Sequence, residues 1–532
     1  MDRTSSWRIV LLLVTTIAIF TRRWPECAQA TDEAHETVEA RRPLHDQLDP
    51  AVLHHVLHTE PNSQLRMLST ISDHPSYLKR TFLDGAHRRA AATLQSWMRQ
   101  AGLTTWLDGL ANVRGRAPAE DDSAPAMLIG SHYDTVVDAG AYDGALGIVV
   151  GIAAVKANIL SKAVAAGYVT NDEIIRMMAD GEGMIDVESI FRAGGAPRLQ
   201  RPVQVVAFSD EEGVRFQSTF LGSRALAGGV TEAYVNGVVD GDGVTLREAI
   251  ESVSGGSAVD DAMLVAAGRH ELGCYVEVHI EQGPVLEAAG ERLGVVLGVA
   301  GQTWVHVQVR GSQGHAGTVP MGARRDPMPA VGGLVHSLEQ LCVDREQQAQ
   351  SEGSLVCTVG KLEVWPGASN VIPGAVNFTA DVRSLNDELR RDVVAEFRRT
   401  VHDVCGQRRL ECEFEVRHEA GAVVMDAGLT DALVEAVRKV DIDGKETANP
   451  TSDTCGITDQ EEKQVIRMPS GAGHDAVAMA SVVPVAMLFV RCRGGISHRP
   501  DEYAHPDDVA AAAEATYHLV RDWQSDQVKI FG

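Results

Sequence analysis

The stretch "GSHYDTVVDAGAYDG", Gly130 to Gly144, sets one histidine and three aspartates among mostly small residues, directly after the apolar run "AMLI". Imidazole nitrogens and carboxylate oxygens are good ligands for a divalent ion of borderline or hard character. His132 and Asp134 are one residue apart, so on an extended strand end their side chains point the same way. That spacing suits a histidine ligand and the carboxylate that orients it. Asp143 follows nine residues after Asp134, past a glycine-bearing loop able to bring it back to the same place. Alone this pattern is weak, because an isolated His-x-Asp is more often an accident of the surface.

Three further stretches add donors of the same kind. "FSDEEG" puts Asp210, Glu211 and Glu212 side by side. Such a run is usually a solvated acidic turn. At a buried strand end a cation can stabilise it, with one glutamate on the metal and its neighbour free to take a proton from bound water. "EVHIEQG" carries His279 and "GGISHRP" carries His498, each near glycine at the edge of an apolar run. Singly, each reads as a core or loop histidine. Together His132, Asp143, Glu212, His279 and His498 can supply two metals with Asp143 between them, at the roughly 3.5–4 Å separation of two-metal hydrolases.

The elements around these stretches must bring them together. "PAMLIGSHYD" and "RPVQVVAFSDEEG" read as buried strands, and "GALGIVVGIAAVKANIL" between them as an apolar helix. Uninterrupted apolar strands alternating with helices argue for an α/β sheet covered on both faces, whose ligands collect at strand carboxyl ends. Both acidic clusters fall at such ends. Residues 157–200 add no recognisable chemistry and read as a surface insertion or extended crossover. From 293 to 421 the order changes to β-α-β-β-α-β, a split-βαβ, ferredoxin-like arrangement, with Asn386 capping its second helix. From 422 helix–strand alternation resumes. The expected organisation is therefore a signal at 1–30, a linker at 31–50, the first catalytic part at 51–292, a small inserted domain at 293–421 and the second catalytic part at 422–532.

The chain has 532 residues, 44% of them hydrophobic, enough for an ordinary core and too many for one simple domain. With 48 basic and 73 acidic residues the formal charge is -25, and no basic patch stands out, which argues against nucleic acid as a partner. Arg3 and Arg8, the run "IVLLLVTTIAIF" and "AQA" form the pattern of a secretory signal cleaved after Ala30. An uncleaved anchor is the rival, since Arg22 and Arg23 follow closely. No later segment reads as membrane-spanning, so no membrane association is expected after cleavage. The eight cysteines form no CxxC pair and fit core positions, leaving the redox compartment open. The sequon at Asn377 falls in a strand-like stretch and is expected to go unused.

Six stretches in order, "GSHYDTV…GAYDG", "FSDEEGVRFQSTFLGS", "HIEQGPVLE", "GSQGHAGTVPMGARRDP", "MPSGAGHDA" and "GGISHRPDE", resemble the di-metal amidohydrolases related to aminoacylases and carboxypeptidases. Within these the chain is similar to the branch acting on N-carbamoyl groups, and there to the plant-like hydrolases of allantoate. The likeness spans about residues 60–525, apart from 157–200. It implies a di-zinc-exopeptidase-like α/β catalytic domain, an inserted ferredoxin-like lid and dimerisation domain, and a homodimer. It implies one ion held by His132, Asp143 and His279 and another by Asp143, Glu212 and His498, with Glu211 as general base and acid and Asp134 orienting His132. His315 would stabilise the oxyanion, Asn370 and Arg383 would grip a substrate carboxylate, and Gln282 and His474 would be further contacts. Manganese is the implied metal; a donor set without thiolate also accepts zinc or cobalt. The implied reaction is hydrolysis of the ureido C–N bond of allantoate to ureidoglycine, carbon dioxide and ammonia, in the endoplasmic reticulum. Another ureido substrate (ureidoglycolate, N-carbamoyl-β-alanine, an N-carbamoyl amino acid) and a catalytically silent binding relative are the alternatives.

Overall fold

The computed structural model describes residues 48–180, 184–191, 197–254, 271–349, 355–440 and 464–525. The signal-like segment, nearly all of the linker and part of 157–200 lie outside them. A mixed α/β architecture follows directly from two kinds of strand. The first kind is apolar throughout. β3 (Ala126–His132), β4 (Val203–Phe208), β5 (Leu272–Ile280) and β15 (Val485–Val490) are buried at every residue. They pair in parallel in the order β4-β3-β5-β15. β1 (Thr104–Leu107) and β2 (Val113–Arg116) extend this sheet antiparallel beyond β4. On the other side β6 (Leu293–Val299) joins β15 antiparallel, and itself pairs with β13 (Val423–Val424) and β14 (Ile466–Ser470).

The helix Ala145–Ala165 packs across this sheet and is buried along most of its length. By length and composition it could cross a membrane, contrary to the expectation that no later segment would; 78% of its most apolar window is buried inside the protein, which marks a core helix. Its close approach to the sheet needs Gly147, where a Cβ would stand 2.0 Å from the Val278 carbonyl oxygen.

The second kind of strand alternates. β7 (Gly301–Arg310), β9 (Leu355–Trp365), β11 (Ala375–Ser384) and β12 (Glu411–Ala420) form a separate antiparallel sheet in the order β12-β7-β11-β9. With the helices Pro327–Ala349 and Asp387–Arg408 the chain runs β-α-β-β-α-β, as the sequence pattern predicts. Val305, Val307, Val309, Val376 and Phe378 point to those helices and form their own core. β7 alternates buried and more exposed positions, so Gln302 and Trp304 face away from that core. β8 (Gly314–His315) and β10 (Val371–Ile372) make a small ribbon beside it.

Three expectations need correction. β6, placed with the small domain by the boundary at 293, belongs to the large sheet, and the small sheet begins at Gly301. Residues 157–200 are no surface appendage: Ile159, Val169, Ile174, Ile185, Val187 and Leu199 are buried in the main core. A buried ion pair helps hold this segment, because Glu60 accepts from Lys156 Nζ at 2.6 and 2.8 Å and from the Ile185 amide at 2.8 Å. The third concerns cysteine. Cys342 is bonded to Cys357 and Cys405 to Cys412, each tying a helix of the small domain to its sheet, while Cys274 and Cys492 are free and buried.

The Cys342–Cys357 bridge closes a loop with a sequence separation of 15. Chain entropy assigns such a loop about 3 kcal/mol. Changing Cys342 and Cys357 together to serine is expected to destabilise the small sheet by about that much. Hydrogen exchange should show faster opening of β9 while β3 and β5 exchange unchanged.

Candidate functional site

His132 ends β3, where the buried apolar run stops and the chain turns into the "HYD" loop. Its Nδ1 lies 3.4 Å from Asp134 Oδ1. The same aspartate accepts the backbone amides of Glu211 at 3.0 Å and Glu212 at 3.1 Å. Asp134 therefore orients the first histidine and also holds the start of the acidic turn after β4. Arg80 fixes the loop from behind: buried, it donates through Nε to the Tyr133 carbonyl and through Nη1 to Leu68 O at 2.9 Å.

Asp143 is the centre of the cluster. His279 Nε2 lies 3.0 Å from its Oδ1 and His132 Nε2 3.6 Å from the same atom. His498 Nε2 lies 3.1 Å from Oδ2 and 3.3 Å from Glu212 Oε1. Donor atoms of His132, Asp143 and His279 fall within 4.8 Å of one another, as do those of Asp143, Glu212 and His498. Thus the five residues read from sequence as ligands converge as two triads sharing Asp143, each able to hold an ion. Glu502 holds the shared residue in place, accepting from the amides of Tyr142 at 2.8 Å and Asp143 at 3.0 Å. Gly140 makes this approach possible, since a Cβ there would stand 2.2 Å from Glu502 Cδ. Gly144 adopts φ 65° beside the His132 ring, where a side chain would collide at 2.5 Å.

The charge of the cluster fits a cation. Burial disfavours protonated imidazole, yet Glu211, Asp134 and Asp143 hold His132 well above its ordinary value. Bonds to Asp143 and Glu212 raise His498 to about 10. Burial likewise opposes ionisation of Asp143, but the three imidazoles hold it well below the carboxylate range. The carboxylates thus draw protons onto their own histidines to supply positive charge, which divalent ions would supply instead. Glu211 differs: burial pushes its carboxyl well up, opposed by His132 and reinforced by Glu212.

Around the cluster is a cavity of ≈ 660 Å³ lined from both sheets. Gln282, His474 and Arg383 line it, as do Glu211 and the residues of both triads. Gln282 donates to Asp143 Oδ2 at 3.0 Å, so in this conformation it serves the carboxylate common to both triads. His474 is buried, with Nε2 2.9 Å from Ser470 Oγ, and burial together with His279 lowers it well below its ordinary value. Arg383 pairs with Asp381 through Nη2 at 2.8 Å. His315 and Asn370 sit elsewhere. They meet on the β8–β10 ribbon, where Ala316 N donates to Asn370 O at 2.9 Å, and both are exposed and absent from the cavity lining.

Backbone strain gathers at the same place. Of the eight non-glycine residues with positive φ among those described, Gln217, Phe220, Gln282 and His498 line the cavity. Each such conformation costs about 1–3 kcal/mol and persists only where its surroundings over-determine it. Sequence reasoning missed Glu502, Ser497, Arg224, Trp304 and His418. Glu502 stood inside the "SHRPDE" stretch, but nothing local tells that it caps a loop 359 residues away.

His87, buried behind the acidic turn, has Nε2 2.7 Å from the Ser209 carbonyl, and burial lowers it to about 4. Its folded value lies below the unfolded one near 6.5, so its contribution is complete above pH 6.5 and is lost as pH falls through 4. The loss reaches about 3 kcal/mol at full protonation. His87→Gln keeps an N–H donor, and its stability relative to the parent is expected to improve between pH 7 and pH 4.5 in denaturant titrations.

The sequence model of peptidase family M20/M25/M40 matches residues 183–522. A probable allantoate deiminase of Oryza sativa subsp. japonica is 44% identical over 476 residues, covering 87% of this chain and 88% of that protein. An N-carbamoyl-L-amino acid amidohydrolase of Geobacillus stearothermophilus is 32% identical over 467 residues, covering 87% and 97%. Among solved structures, an amidase of the hydantoinase/carbamoylase family from Burkholderia multivorans superposes with a TM-score of 0.69 at 28% identity, covering 87% of this chain and 96% of that one. By sequence, the chain belongs to peptidase family M20/M25/M40.

Proposed function

We propose that this protein hydrolyses the ureido C–N bond of allantoate, giving ureidoglycine, carbon dioxide and ammonia. The observation that carries the chemistry is the pair of triads sharing Asp143, with Glu211 beside them. The substrate rests on the 44% identity to a probable allantoate deiminase along nearly the whole chain, against 32% to the carbamoyl amino acid hydrolase. His132, Asp143 and His279 would hold one divalent ion and Asp143, Glu212 and His498 a second, manganese by resemblance. Such ions lower the pKa of a water and polarise a carbonyl.

The chain's own groups do the rest. Glu211 takes a proton from the attacking water onto its carboxylate and returns it to the departing nitrogen. Asp134 keeps His132 turned and, by holding two amides, keeps Glu211 and Glu212 in place. The ferredoxin-like small sheet acts as a lid whose Arg383 and Asn370 receive the substrate carboxylate, while His315 stabilises the oxyanion. Since His315 and Asn370 lie outside the cavity, this assignment requires the lid to move or a second copy in a homodimer to supply them. The secretory pathway, and within it the endoplasmic reticulum, fits the N-terminal pattern, and the two disulfides support an oxidising compartment.

Ammonia release with manganese present tests the assignment directly. Allantoate should turn over faster than ureidoglycolate and N-carbamoyl-β-alanine. Faster release from either rival would displace the substrate, and no release from any of them would leave a silent binding protein.

A further inference from the structure

The cavity contains two guanidinium groups, one from each side. Arg383, on the small sheet, is already engaged: Nε and Nη2 donate to Asp381 at 3.1 and 2.8 Å, and Nη1 to the Gly471 carbonyl at 2.6 Å. Arg224 lies in the short helix Leu221–Leu226, on the side of the metal ligands. Its Nη1 donates to Ser218 Oγ at 3.0 Å and Tyr234 Oη at 3.1 Å, and its guanidinium sits 4.7 Å from the Tyr234 ring centre. All these partners are neutral. Among the described residues no carboxylate forms an ion pair with Arg224, although it is half-buried and lines the cavity.

The same lining carries three carboxylates, Asp143, Glu211 and Glu212, and Arg224 is ion-paired with none of them. A cation that faces the cavity and is not already neutralised by a carboxylate is free to receive an anionic group of the substrate. A guanidinium stacked on a ring and tied to two hydroxyls loses little freedom on binding, and its planar fork matches a carboxylate. Phe220, which directly precedes this helix, takes φ 61° and also faces the cavity, so the segment presenting Arg224 is held in a costly backbone shape.

We infer that Arg224 is a substrate-binding residue that receives the carboxylate of the ureido acid from the catalytic side, opposite Arg383. This rests on the ureido-acid reading above and deepens it: the anion is clamped between two domains, with the stationary half of the clamp supplied by Arg224. The lid's Arg383 then closes over an anion that is already anchored, so selection for acids over neutral ureas precedes closure.

The test is calorimetric titration of Glu211→Gln protein loaded with manganese, in which bound ligand is not consumed. The ligands are allantoate and its carboxamide. Arg224→Gln should weaken allantoate by about 10- to 100-fold, the scale of a lost charged hydrogen bond, and the carboxamide by less than about threefold. Arg224→Lys should fall between, keeping the charge and losing the fork. Tyr234→Phe, which loosens the tether and spares the cation, should weaken allantoate slightly and the carboxamide less. In the active protein Arg224→Gln should raise KM for allantoate with kcat little changed. Equal weakening of acid and amide by Arg224→Gln, or none, would overturn the assignment in favour of a loop-ordering arginine. If allantoate does not bind the parent, the substrate reading fails, and the same comparison with N-carbamoyl-β-alanine and its amide decides Arg224.

Discussion

Replacing Glu211 with glutamine is expected to lower turnover by about 10²- to 10⁴-fold, the usual worth of a general acid–base, while the protein still binds two ions. The amide keeps the volume and the backbone bond to Asp134, and loses only the capacity to take a proton. A second outcome is built into the geometry. His132, Glu211 and Glu212 also lie close enough to share an ion, and Glu211 Oε2 is 3.9 Å from His132 Nε2. If Glu211 were a ligand, Glu211→Gln would bind one ion fewer. Metal content by mass spectrometry, measured beside ammonia release, separates the two roles. Loss of an ion together with activity would remove Glu211 as the base.

Asp143→Asn is expected to abolish activity and to uncouple stability from metal. Asp143 is the common acceptor of three imidazoles, and Gln282 and Ser497 donate to its Oδ2 at 3.0 and 2.7 Å. The amide offers one carbonyl oxygen and an NH2 that faces donors, so both triads are broken at once. In the parent, each ion bound only by the folded state adds about 2.7 kcal/mol at a hundredfold excess over its Kd. Manganese should therefore raise the melting temperature of the parent and leave that of Asp143→Asn nearly unmoved. A variant that retained the full metal-dependent rise would show that Asp143 does not bridge the site.

These expectations draw on features of two origins. The buried strands were legible because runs such as "AMLI" and "VQVVAF" stay apolar at every residue, which only a sheet covered on both faces permits. The small sheet was legible through its alternation and the capping Asn386, whose Oδ1 accepts from Glu388 and Leu389 amides at 3.0 Å. Boundary and pairing were harder. β6 looks locally like a strand of the domain that follows it, and only its hydrogen bonds to β15 assign it to the large sheet. Cysteine spacing likewise carries no record of partners, because Cys342 and Cys357 meet only once helix and strand are packed.

By itself the sequence determined which atoms are available for chemistry: imidazoles and carboxylates at the ends of apolar strands, with glycines where a side chain would collide. Ligand type is a property of single residues, and strand-end placement is a property of short segments. The tertiary structure alone decided how those atoms are shared and held. It made Asp143 the meeting point of three histidines, recruited Glu502 from the far end of the chain, set Arg383 against Asp381 and left Arg224 facing the cavity with neutral partners only. The contacts of Asp143 with His279, His498 and Glu502 join segments more than a hundred residues apart, and the folded sheet brings them within hydrogen-bond distance.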